Sequence, residues 1–461
     1  MHSAFDIAAD LDTPVSAYLK LGPFGPRFLL ESVEGGERLG RYSFIGFGDG
    51  LDVRLENGGL RVGGERHPVG DEGEALLEAL RGALAAAPVP EPADGAVPFR
   101  GGLVGVAGYD LVRRFERLPR PVSQPAPGPV GAWFAPRSVL AFDHLTRRAA
   151  LLHDGAPDER AALRRELIRA LRGPVPARRS GGLSAPVRAS LDEDGFHGGV
   201  ERVKNHIRAG DVFQLVLSIR FGGATDLDPF EAYRALRLLN PSPYMYFFEF
   251  DGTSVVGSSP EALVRLEGRR ASLRPIAGTR PRGATAEEDE SREADLLADP
   301  KENAEHVMLV DLARNDLGRV AVPGSIEVGP YRAIERYSHV MHMVSGTRGV
   351  LAPGRDMFDL FAAAFPAGTV VGAPKIRAMQ LIDELEPTPR GLYAGTVGYF
   401  GAAGGMDQAI TIRTLVFRDG ECSWQAGAGI VADSVPAREY EEIHAKGAAL
   451  ASALRLAEEG L

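Results

Sequence analysis

The stretch KENAEHVMLVDLARNDLGRV, residues 301–320, places two glutamates, Glu302 and Glu305, three positions apart. At this spacing two side chains share one face of a helix. Following that face at about 100° per residue leads to apolar residues, Leu309, Leu312 and Ala313. The stretch therefore predicts a helix whose carboxylates lie on a line that ends in the protein core.

The last helical segment of the chain repeats this arrangement with a second glutamate pair. Glu439, Glu442 and Lys446 fall on one stripe. The stripe continues into Leu450 and Leu454, which are residues typical of a core. We therefore expect two helices that each aim a pair of carboxylates inward.

A cation is expected between these glutamates. Four buried carboxylates repel one another and are costly to desolvate unless a positive charge compensates them. A set of hard oxygen ligands suits Mg²⁺, which also keeps water or substrate oxygens. His306, the next residue after the first pair, leaves a softer metal open. We expect one Mg²⁺ site formed by four residues, only some of which need to contact the metal directly. They are Glu302, Glu305, Glu439 and Glu442.

The overall composition favours an enzyme with a small-molecule substrate. The chain has 461 residues, 44% of them hydrophobic, and a formal net charge of -10. Such a charge argues against nucleic-acid binding, which relies on clustered Lys and Arg. The sequence has neither a basic and apolar leader nor a run of about 18 apolar residues, so we expect a cytoplasmic protein. The single cysteine, Cys422, excludes a disulfide framework and a cysteine-based zinc cluster.

The chain divides into two regions at a linker rich in Pro, Gly, Ser and Arg, residues 173–190. The first region, residues 1–172, alternates short apolar strands with Gly-rich turns. In the second region, residues 191–461, predicted strands come in runs, and one of them spans residues 408–417. Strict alternation of strands and helices would predict a parallel sheet. We therefore expect an α+β protein with antiparallel sheets.

Eight segments of the second region, read together, resemble the chorismate-utilising enzymes. In the order typical of that family they are PIAGTRPRG (275–283), KENAEHVMLVDLARNDLGRV (301–320), SHVMHMVS (338–345), FPAGTVVGAPK (365–375), YAGTVGYF (393–400), AITIRT (409–414), QAGAGIVADS (425–434) and the final helix (437–459). The resemblance implies a large two-sheet β-sandwich core with helices packed outside. It also implies a Mg²⁺ ion that bridges the four glutamates to the ring carboxylate of chorismate.

The resemblance implies substrate-binding roles for residues spread along the second region. Arg413 and Tyr393 match positions that bind the enolpyruvyl carboxylate. A forked guanidinium and a phenol can both donate hydrogen bonds to a carboxylate. Lys446 adds positive charge near the carboxylates. The resemblance also implies that four residues contact the substrate through the backbone or a hydroxyl, because small side chains permit close approach. They are Gly278, Thr279, Gly427 and Gly429.

Three residues are implied to be catalytic, namely Glu261, Thr279 and His342. Glu261 matches a proposed general acid that protonates the departing C4 hydroxyl, and it needs a raised pKa to hold that proton near neutrality. His342 matches a histidine implicated in the later loss of pyruvate. Because it lies in an apolar run, a purely structural histidine is the alternative.

Two positions distinguish the reactions of family members. Isochorismate and salicylate synthases activate water with a lysine in the strand that here reads DVFQLVLS, and this chain has Gln214, whose neutral amide cannot act as a base. Aminodeoxychorismate synthases attack C2 with a lysine where this chain has Ala277. The pattern leaves direct addition of ammonia at C2 with loss of the C4 hydroxyl, followed by elimination of pyruvate to give anthranilate.

A separate glutaminase is expected to supply the ammonia, because free ammonia is scarce at neutral pH. An amidotransferase of the expected type uses a cysteine nucleophile. Cys422 lies in a turn-like DGECSW without the glycine pattern of a nucleophile elbow. We therefore expect a glutamine amidotransferase subunit as partner, in a heterotetramer with two copies of each chain.

Two further segments, LLESVEGGERLGRYSFIG (29–46) and NPSPYMYFF (240–248), resemble anthranilate synthases that bind tryptophan as a feedback inhibitor. Glu31 and Ser32 are expected to hold the ammonium and carboxylate of tryptophan. In the second segment the site is expected to include Asn240 and a stiff apolar wall for the indole, formed by Pro243, Tyr244 and Met245. A Pro-rich turn beside a strand also needs no ligand to explain it.

Other members of the family and a non-catalytic relative are the alternatives. A 2-amino-2-deoxyisochorismate synthase stops before the elimination of pyruvate, and an aminodeoxychorismate synthase component I forms a different product. A non-catalytic tryptophan-sensing or partner-binding relative requires a decayed site. Every matched position holds a chemically competent residue, which argues against the last alternative.

Overall fold

The structure is a computed structural model, and it describes most of the chain. The described residues are 5–32, 40–56, 59–70, 72–91, 97–119, 129–178, 181–183, 185–336 and 340–461.

Strands dominate the described part of the first region and recur throughout the second. Up to the predicted linker they are β1 (Ile7–Ala8), β2 (Pro26–Glu31), β3 (Tyr42–Glu56), β4 (Gly59–Val62), β5 (Glu65–His67), β6 (Gly102–Ala107), β7 (Gly131–Asp143) and β8 (Arg148–His153). From the linker onward they are β9 (Arg188–Ala189), β10 (Gln214–Ala224), β11 (Tyr244–Phe250), β12 (Thr253–Ser259), β13 (Ala262–Glu267), β14 (Arg270–Leu273), β15 (Ile276–Pro281), β16 (Glu327–Val328), β17 (Ala333–Arg336), β18 (Val340–Val344), β19 (Thr347–Val350), β20 (Gly372–Ala373), β21 (Thr396–Gly401), β22 (Met406–Ile410), β23 (Thr414–Arg418) and β24 (Glu421–Ile430).

Helices flank these strands. They are α1 (Pro14–Lys20), α2 (Gly73–Ala85), α3 (Pro157–Leu171), α4 (Glu193–Arg208), α5 (Pro229–Leu239), α6 (Ala286–Ala298), α7 (Pro300–Gly318), α8 (Met357–Ala364), α9 (Lys375–Leu385) and α10 (Pro436–Glu459). Short 3₁₀ helices lie at Gly22–Phe24, Tyr109–Arg114 and Gly368–Val370.

The pairing of the strands confirms the expected α+β class with antiparallel sheets. Every named strand pair among the described residues is antiparallel, and most strands join one large sheet, while β15, β17 and β18 form a small separate one. Strand β2 pairs with β11, and β6 pairs with β21. The two regions on either side of residues 173–190 therefore share a sheet, and their division into separate domains stays a prediction.

Two clusters of buried side chains show why the large sheet is a sandwich. One cluster draws on strands and loops and on none of the named helices, with members such as Phe28, Phe134 and Tyr246, so it lies where sheet faces sheet. The other combines the opposite faces of the same strands with helix residues, such as Phe247 and Leu450. Successive residues of a strand point to opposite faces, so one strand contributes to both cores.

The strand predicted at residues 408–417 is wrong as a single element. It is divided into β22 and β23 by Thr411, Ile412 and Arg413, and Arg413 has a positive φ of 49°. An alternating apolar pattern does not show such a break, because the pattern resumes after it. The interruption includes Arg413, which belongs to the candidate site described below.

No helix within the described ranges is long and apolar enough to span a membrane.

Candidate active site

The first glutamate pair lies at the start of α7. The carboxylate of Asp299 caps this helix and accepts a hydrogen bond from the backbone N–H of Glu302 at 3.2 Å. Glu302 and Glu305 therefore occupy defined positions in the first turns. Farther along the same helix Leu309 and Ala313 are buried, as the spacing predicted, whereas Leu312 is half-buried.

The second pair lies at the start of α10, and only one of its members is buried. Glu439 is 9% exposed, whereas the side chain of Glu442 is 47% exposed. The buried stripe of α10 runs from Glu439 through Ile443 and Gly447 to Leu450. The expectation that all four carboxylates are buried is therefore wrong: Glu302 and Glu305 are half-buried, and Glu442 is exposed. A helical stripe steps by three or four residues, and here the first step is four, which leaves Glu442 about 100° to one side.

The four carboxylates nevertheless lie near one another. Burial raises the pKa of Glu305, and the charges of Glu302 and Glu442 raise it further. Burial also raises the pKa of Glu439, with a further contribution from the charge of Glu442. These mutual effects link the start of α7 to the start of α10. The structure thus brings together the two pairs that the sequence singled out.

The two positions that distinguish family reactions both lie at this site. The Nε2 of Gln214 donates a hydrogen bond to Oε1 of Glu305 at 3.0 Å. A Cβ atom at Gly429 would lie 2.5 Å from that Nε2, so the amide reaches the carboxylate only because a glycine stands there. Ala277 is buried opposite Met343 and offers no nucleophile.

Lys446 connects α10 to strand β24. Its Nζ lies 2.6 Å from Oε1 of Glu442 and donates to the carbonyl oxygen of Gly427 at 3.0 Å. A Cβ atom at Gly427 would lie 2.6 Å from Oη of Tyr393. The glycine therefore lets the phenol of Tyr393 approach the backbone beside the carboxylates.

The donor set at this site suits a hard cation. Among the described residues, no group of three His, Cys, Asp or Glu side chains lies close enough together in this structure to hold a metal ion. The donors are carboxylate oxygens, however, and their mutual repulsion favours a divalent cation. His306 is not one of them, because it is buried with its Nε2 2.6 Å from Oγ of Ser345, and burial lowers its pKa to about 4. The residues present therefore fit Mg²⁺ better than a softer metal.

Glu261 lies between β12 and β13 and has the property that a proton donor needs. The hydroxyl of Thr369 donates to Oε1 of Glu261 at 2.9 Å. Burial raises the pKa of Glu261 to about 7, against smaller lowering effects of that hydrogen bond and of Lys446. At neutral pH a large share of Glu261 is thus protonated.

A bulge between β15 and β18 presents Gly278, Thr279 and His342 together. Gly278 has a positive φ of 65°, and a Cβ atom there would lie 3.1 Å from Oε2 of Glu302. Thr279 pairs with His342, and its Oγ1 lies 3.0 Å from Nδ1 of the imidazole. Burial lowers the pKa of His342, and the charge of Arg413 lowers it further. Near neutral pH this histidine is uncharged and able to accept a proton.

Arg413 and Tyr393 complete the positions expected to bind substrate. Arg413 is the last residue of the break between β22 and β23, and its NH1 lies 3.5 Å from Oδ1 of Asn240. Tyr393 is buried, and burial raises its pKa to about 12, so the phenol keeps its proton and can donate it in a hydrogen bond.

Sequence reasoning missed a buried ion pair behind Tyr393. The guanidinium of Arg390 lies 5.4 Å from the centre of the Tyr393 ring and donates to both carboxylate oxygens of Glu386, at 2.9 and 2.7 Å. Both side chains are almost fully buried. The sequence offered one signal for this ion pair: Glu386 and Arg390 are four positions apart, shortly before the segment YAGTVGYF. Two further missed residues, Thr369 and Arg280, contact Glu261 and Glu302 respectively from distant parts of the chain.

The predicted tryptophan site is built around Glu31 on β2. Its carboxylate accepts hydrogen bonds from the hydroxyl of Tyr233 at 2.5 Å and from Nε of Arg237 at 3.0 Å. Ser32 follows it and is half-buried, while residues 33–39 of the quoted segment lie outside the described residues. Glu31 is thus held by two side chains of α5 that the sequence did not indicate.

The second segment of the predicted tryptophan site divides between the two faces of β11. Met245 pairs directly with Glu31, so the two side chains share a face. Tyr244 points to the opposite face, where its hydroxyl donates to Asp407 at 3.0 Å. The expectation that Tyr244 and Met245 form one wall with Pro243 is therefore wrong for Tyr244, because consecutive strand residues alternate. Asn240 donates to Oγ of Ser258 at 3.1 Å.

Cys422 is buried within β24 and not in a turn. Burial raises the pKa of its thiol, which keeps it protonated at neutral pH and removes nucleophilic character. The only cysteine of the chain is therefore not a glutaminase nucleophile.

Comparisons with known proteins agree with this geometry. The family model described as chorismate binding enzyme matches residues 26–452. The chain is similar to anthranilate synthase component 1 of Thermus thermophilus, with 48% identity over 98% of this chain and 97% of the relative. It is similar to the protein of the same name from Pseudomonas putida, with 46% identity over 99% and 95% of the two chains. Among solved structures, anthranilate synthase component I from Streptococcus pneumoniae has a TM-score of 0.79 and 35% identity, covering 89% of this chain and 92% of that one.

Proposed function

The chain belongs to the family of chorismate binding enzymes, and from this premise we propose that it is the chorismate-converting component of an anthranilate synthase of tryptophan biosynthesis. The observation that selects the nucleophile is the contact between Gln214 and Glu305. An amide at this position cannot deprotonate water, and Ala277 cannot attack the ring. Ammonia needs neither group, because its lone pair is already nucleophilic.

Arg413 and Tyr393 orient the substrate in this proposal. The guanidinium of Arg413 and the protonated phenol of Tyr393 bind the enolpyruvyl carboxylate. Glu302, Glu305, Glu439 and Glu442 would hold Mg²⁺, which when bound neutralises the ring carboxylate of chorismate. Lys446 adds to the positive charge on that side of the ring.

The first step adds ammonia and removes water. The lone pair of ammonia forms a bond to C2, the ring double bonds shift, and the bond between C4 and its hydroxyl oxygen breaks. Glu261 gives its proton to the departing hydroxyl, which leaves as water. The nitrogen loses one proton to solvent and becomes a neutral amine, and Glu261 regains its proton from solvent.

The second step removes pyruvate and makes the ring aromatic. A base takes the proton from C2, the bond from C3 to the enolpyruvyl oxygen breaks, and the side chain leaves as pyruvate after its methylene carbon is protonated. His342 is uncharged near neutral pH and stands beside Thr279, so it is the residue of this chain suited to accept the C2 proton.

A partner subunit supplies the ammonia. The buried thiol of Cys422 leaves this chain without a glutaminase nucleophile. We expect a glutamine amidotransferase subunit, with two copies of each chain in the assembly.

An assay of the purified chain tests this function directly. With chorismate, Mg²⁺ and ammonium at raised pH, we expect anthranilate to form, and its fluorescence measures the rate. With glutamine in place of ammonium, the chain alone is expected to form no product. Product formation from glutamine by the isolated chain would contradict the need for a partner.

Product identity separates this function from its rival within the family. A 2-amino-2-deoxyisochorismate synthase would release the intermediate of the first step and no pyruvate. Mass spectrometry of the reaction mixture distinguishes the two, and accumulation of that intermediate without anthranilate would refute the second step.

Tryptophan is proposed as a feedback inhibitor that binds between β2, β11 and α5. Glu31 and Met245 share one face there. Glu31 keeps capacity for an ammonium group, since a carboxylate has about four acceptor sites and Tyr233 and Arg237 use three.

Two substitutions are expected to weaken the inhibition by tryptophan. Ser32→Phe adds bulk beside Glu31, and Met245→Thr removes an apolar contact, so each should raise the half-inhibitory concentration about tenfold or more, which corresponds to roughly 1.4 kcal/mol. The rate of anthranilate formation at increasing tryptophan measures this effect. Tyr244→Phe is the matched control, because Tyr244 faces the other side of β11. Unchanged inhibition in both test variants would refute the site.

A further inference from the structure

A small pocket lies directly behind the proposed chorismate site. Its volume is about 40 Å³, and Tyr393, Thr411 and Gln425 line its inner part while Arg220 and Ser423 are half-buried parts of its lining. A cavity of this size holds a molecule as small as water or ammonia. It is too small for chorismate or an amino acid.

The pocket continues the chorismate site along one face of the large sheet. Gly429, Gly427, Gln425 and Ser423 are alternate residues of β24, so their side-chain positions lie on the same face at roughly 7 Å intervals. The first two belong to the proposed substrate site, and the last two line the pocket. Tyr393 stands at the boundary, because it lines the pocket and its hydroxyl reaches Gly427.

One side chain of the pocket has an unused hydrogen-bonding group. Thr411 is fully buried, and its Oγ1 has no hydrogen-bond partner among the residues that the structure describes. A buried hydroxyl without a partner is costly, so such groups generally indicate a small polar molecule that supplies the missing bond. The hydroxyl can both donate to ammonia and accept from it.

We propose that this pocket is the binding site from which ammonia reaches C2 of chorismate. The inference rests on the proposed function and adds the route of its second substrate. Arg220 lines the pocket with its guanidinium 3.3 Å from Oγ of Ser423, and its positive charge disfavours ammonium by like-charge repulsion. Neutral ammonia, the nucleophilic form, avoids that repulsion, binds to Thr411 and passes Tyr393 to the ring.

Kinetics of the purified chain with ammonium as nitrogen source test the route. Thr411→Val removes the hydroxyl at nearly constant shape, and we expect KM for ammonia to rise about fivefold, the effect of losing one hydrogen bond, while KM for chorismate stays unchanged. Ser423→Phe places a ring at the pocket, and we expect kcat/KM for ammonia to fall about tenfold.

Thr347→Val is the matched control. Thr347 is also fully buried with an unpartnered Oγ1, yet it does not line the pocket. Equal KM values for ammonia in the Thr411 and Thr347 variants would overturn the inference, as would a Ser423→Phe enzyme with the ammonia kinetics of the unmodified chain. A chain that forms no anthranilate before any substitution would instead refute the proposed function.

Discussion

Glu261→Gln is expected to lower kcat about a thousandfold, the contribution of a well-placed general acid. Glutamine has nearly the same shape as glutamate and keeps the contact with Thr369, but it has no carboxyl proton to give to the C4 hydroxyl. The initial rate of anthranilate formation at saturating chorismate measures the loss. Circular dichroism and the melting temperature check that the fold is unchanged. A rate within about tenfold of the original would be too fast for a lost general acid.

The pH dependence of the unmodified enzyme identifies the same group. Because burial raises the pKa of Glu261 to about 7, the protonated form is present below pH 7 and is lost as the pH rises through 7. At a constant concentration of free ammonia, kcat/KM should therefore fall across that range. The fall should be absent in Glu261→Gln.

Thr369→Val provides a directional check on this assignment. The hydroxyl of Thr369 stabilises the charged form of Glu261 and so lowers its pKa. Removing the hydroxyl should raise that pKa and move the fall in kcat/KM to higher pH. A shift to lower pH would contradict the assignment of the profile to Glu261.

Glu305→Gln combined with Glu442→Gln is expected to abolish turnover at Mg²⁺ concentrations that saturate the unmodified enzyme. Both carboxylates belong to the group proposed to hold the ion, and one comes from each helix. The Mg²⁺ concentration for half-maximal activity should rise at least about a hundredfold, more than the effect of losing a group that only orients a ligand. Calorimetric titration of the protein with Mg²⁺ measures the same loss without relying on activity.

Glu441→Gln is the matched control for that double variant. Glu441 is an exposed glutamate next to Glu442 on α10 and takes no part in the group. Without Mg²⁺, Glu305→Gln should raise the melting temperature, because burial and the neighbouring carboxylates already disfavour the charge on Glu305. Full Mg²⁺ response in the double variant, with the same response in the control, would refute the metal site.

Local patterns predicted much of the fold and many of the site residues. The spacing of Glu302 and Glu305 identified a helix, and the runs of strands identified an antiparallel α+β class, because each pattern reflects the geometry of a single element. The identities of Gln214 and Ala277 restricted the nucleophile for a similar reason. A lysine is either present at such a position or absent, whatever the surrounding packing.

The errors concern which side of an element a residue faces and where one strand ends. Glu442 is exposed because the buried stripe of α10 advances by four residues and not by three. Tyr244 faces away from Met245 because consecutive strand residues alternate. The break at Arg413 lies in an apolar pattern that continues on both sides of it. For Glu442 and for the break the sequence allowed two arrangements, whereas the facing of Tyr244 follows from strand alternation alone.

By itself, the sequence determined the residue types and their spacing along each element, and hence the two glutamate pairs, the missing lysines and the antiparallel class. Only the tertiary structure decided which faces meet. Thr369 reaches Glu261 across 108 positions of the chain, and the burial that raises the pKa of Glu261 comes from elements distant in sequence. Periodicity records the inside and outside of one helix or strand. The pKa of a carboxyl, and the partner that a buried hydroxyl lacks, depend on what a different part of the chain places against it.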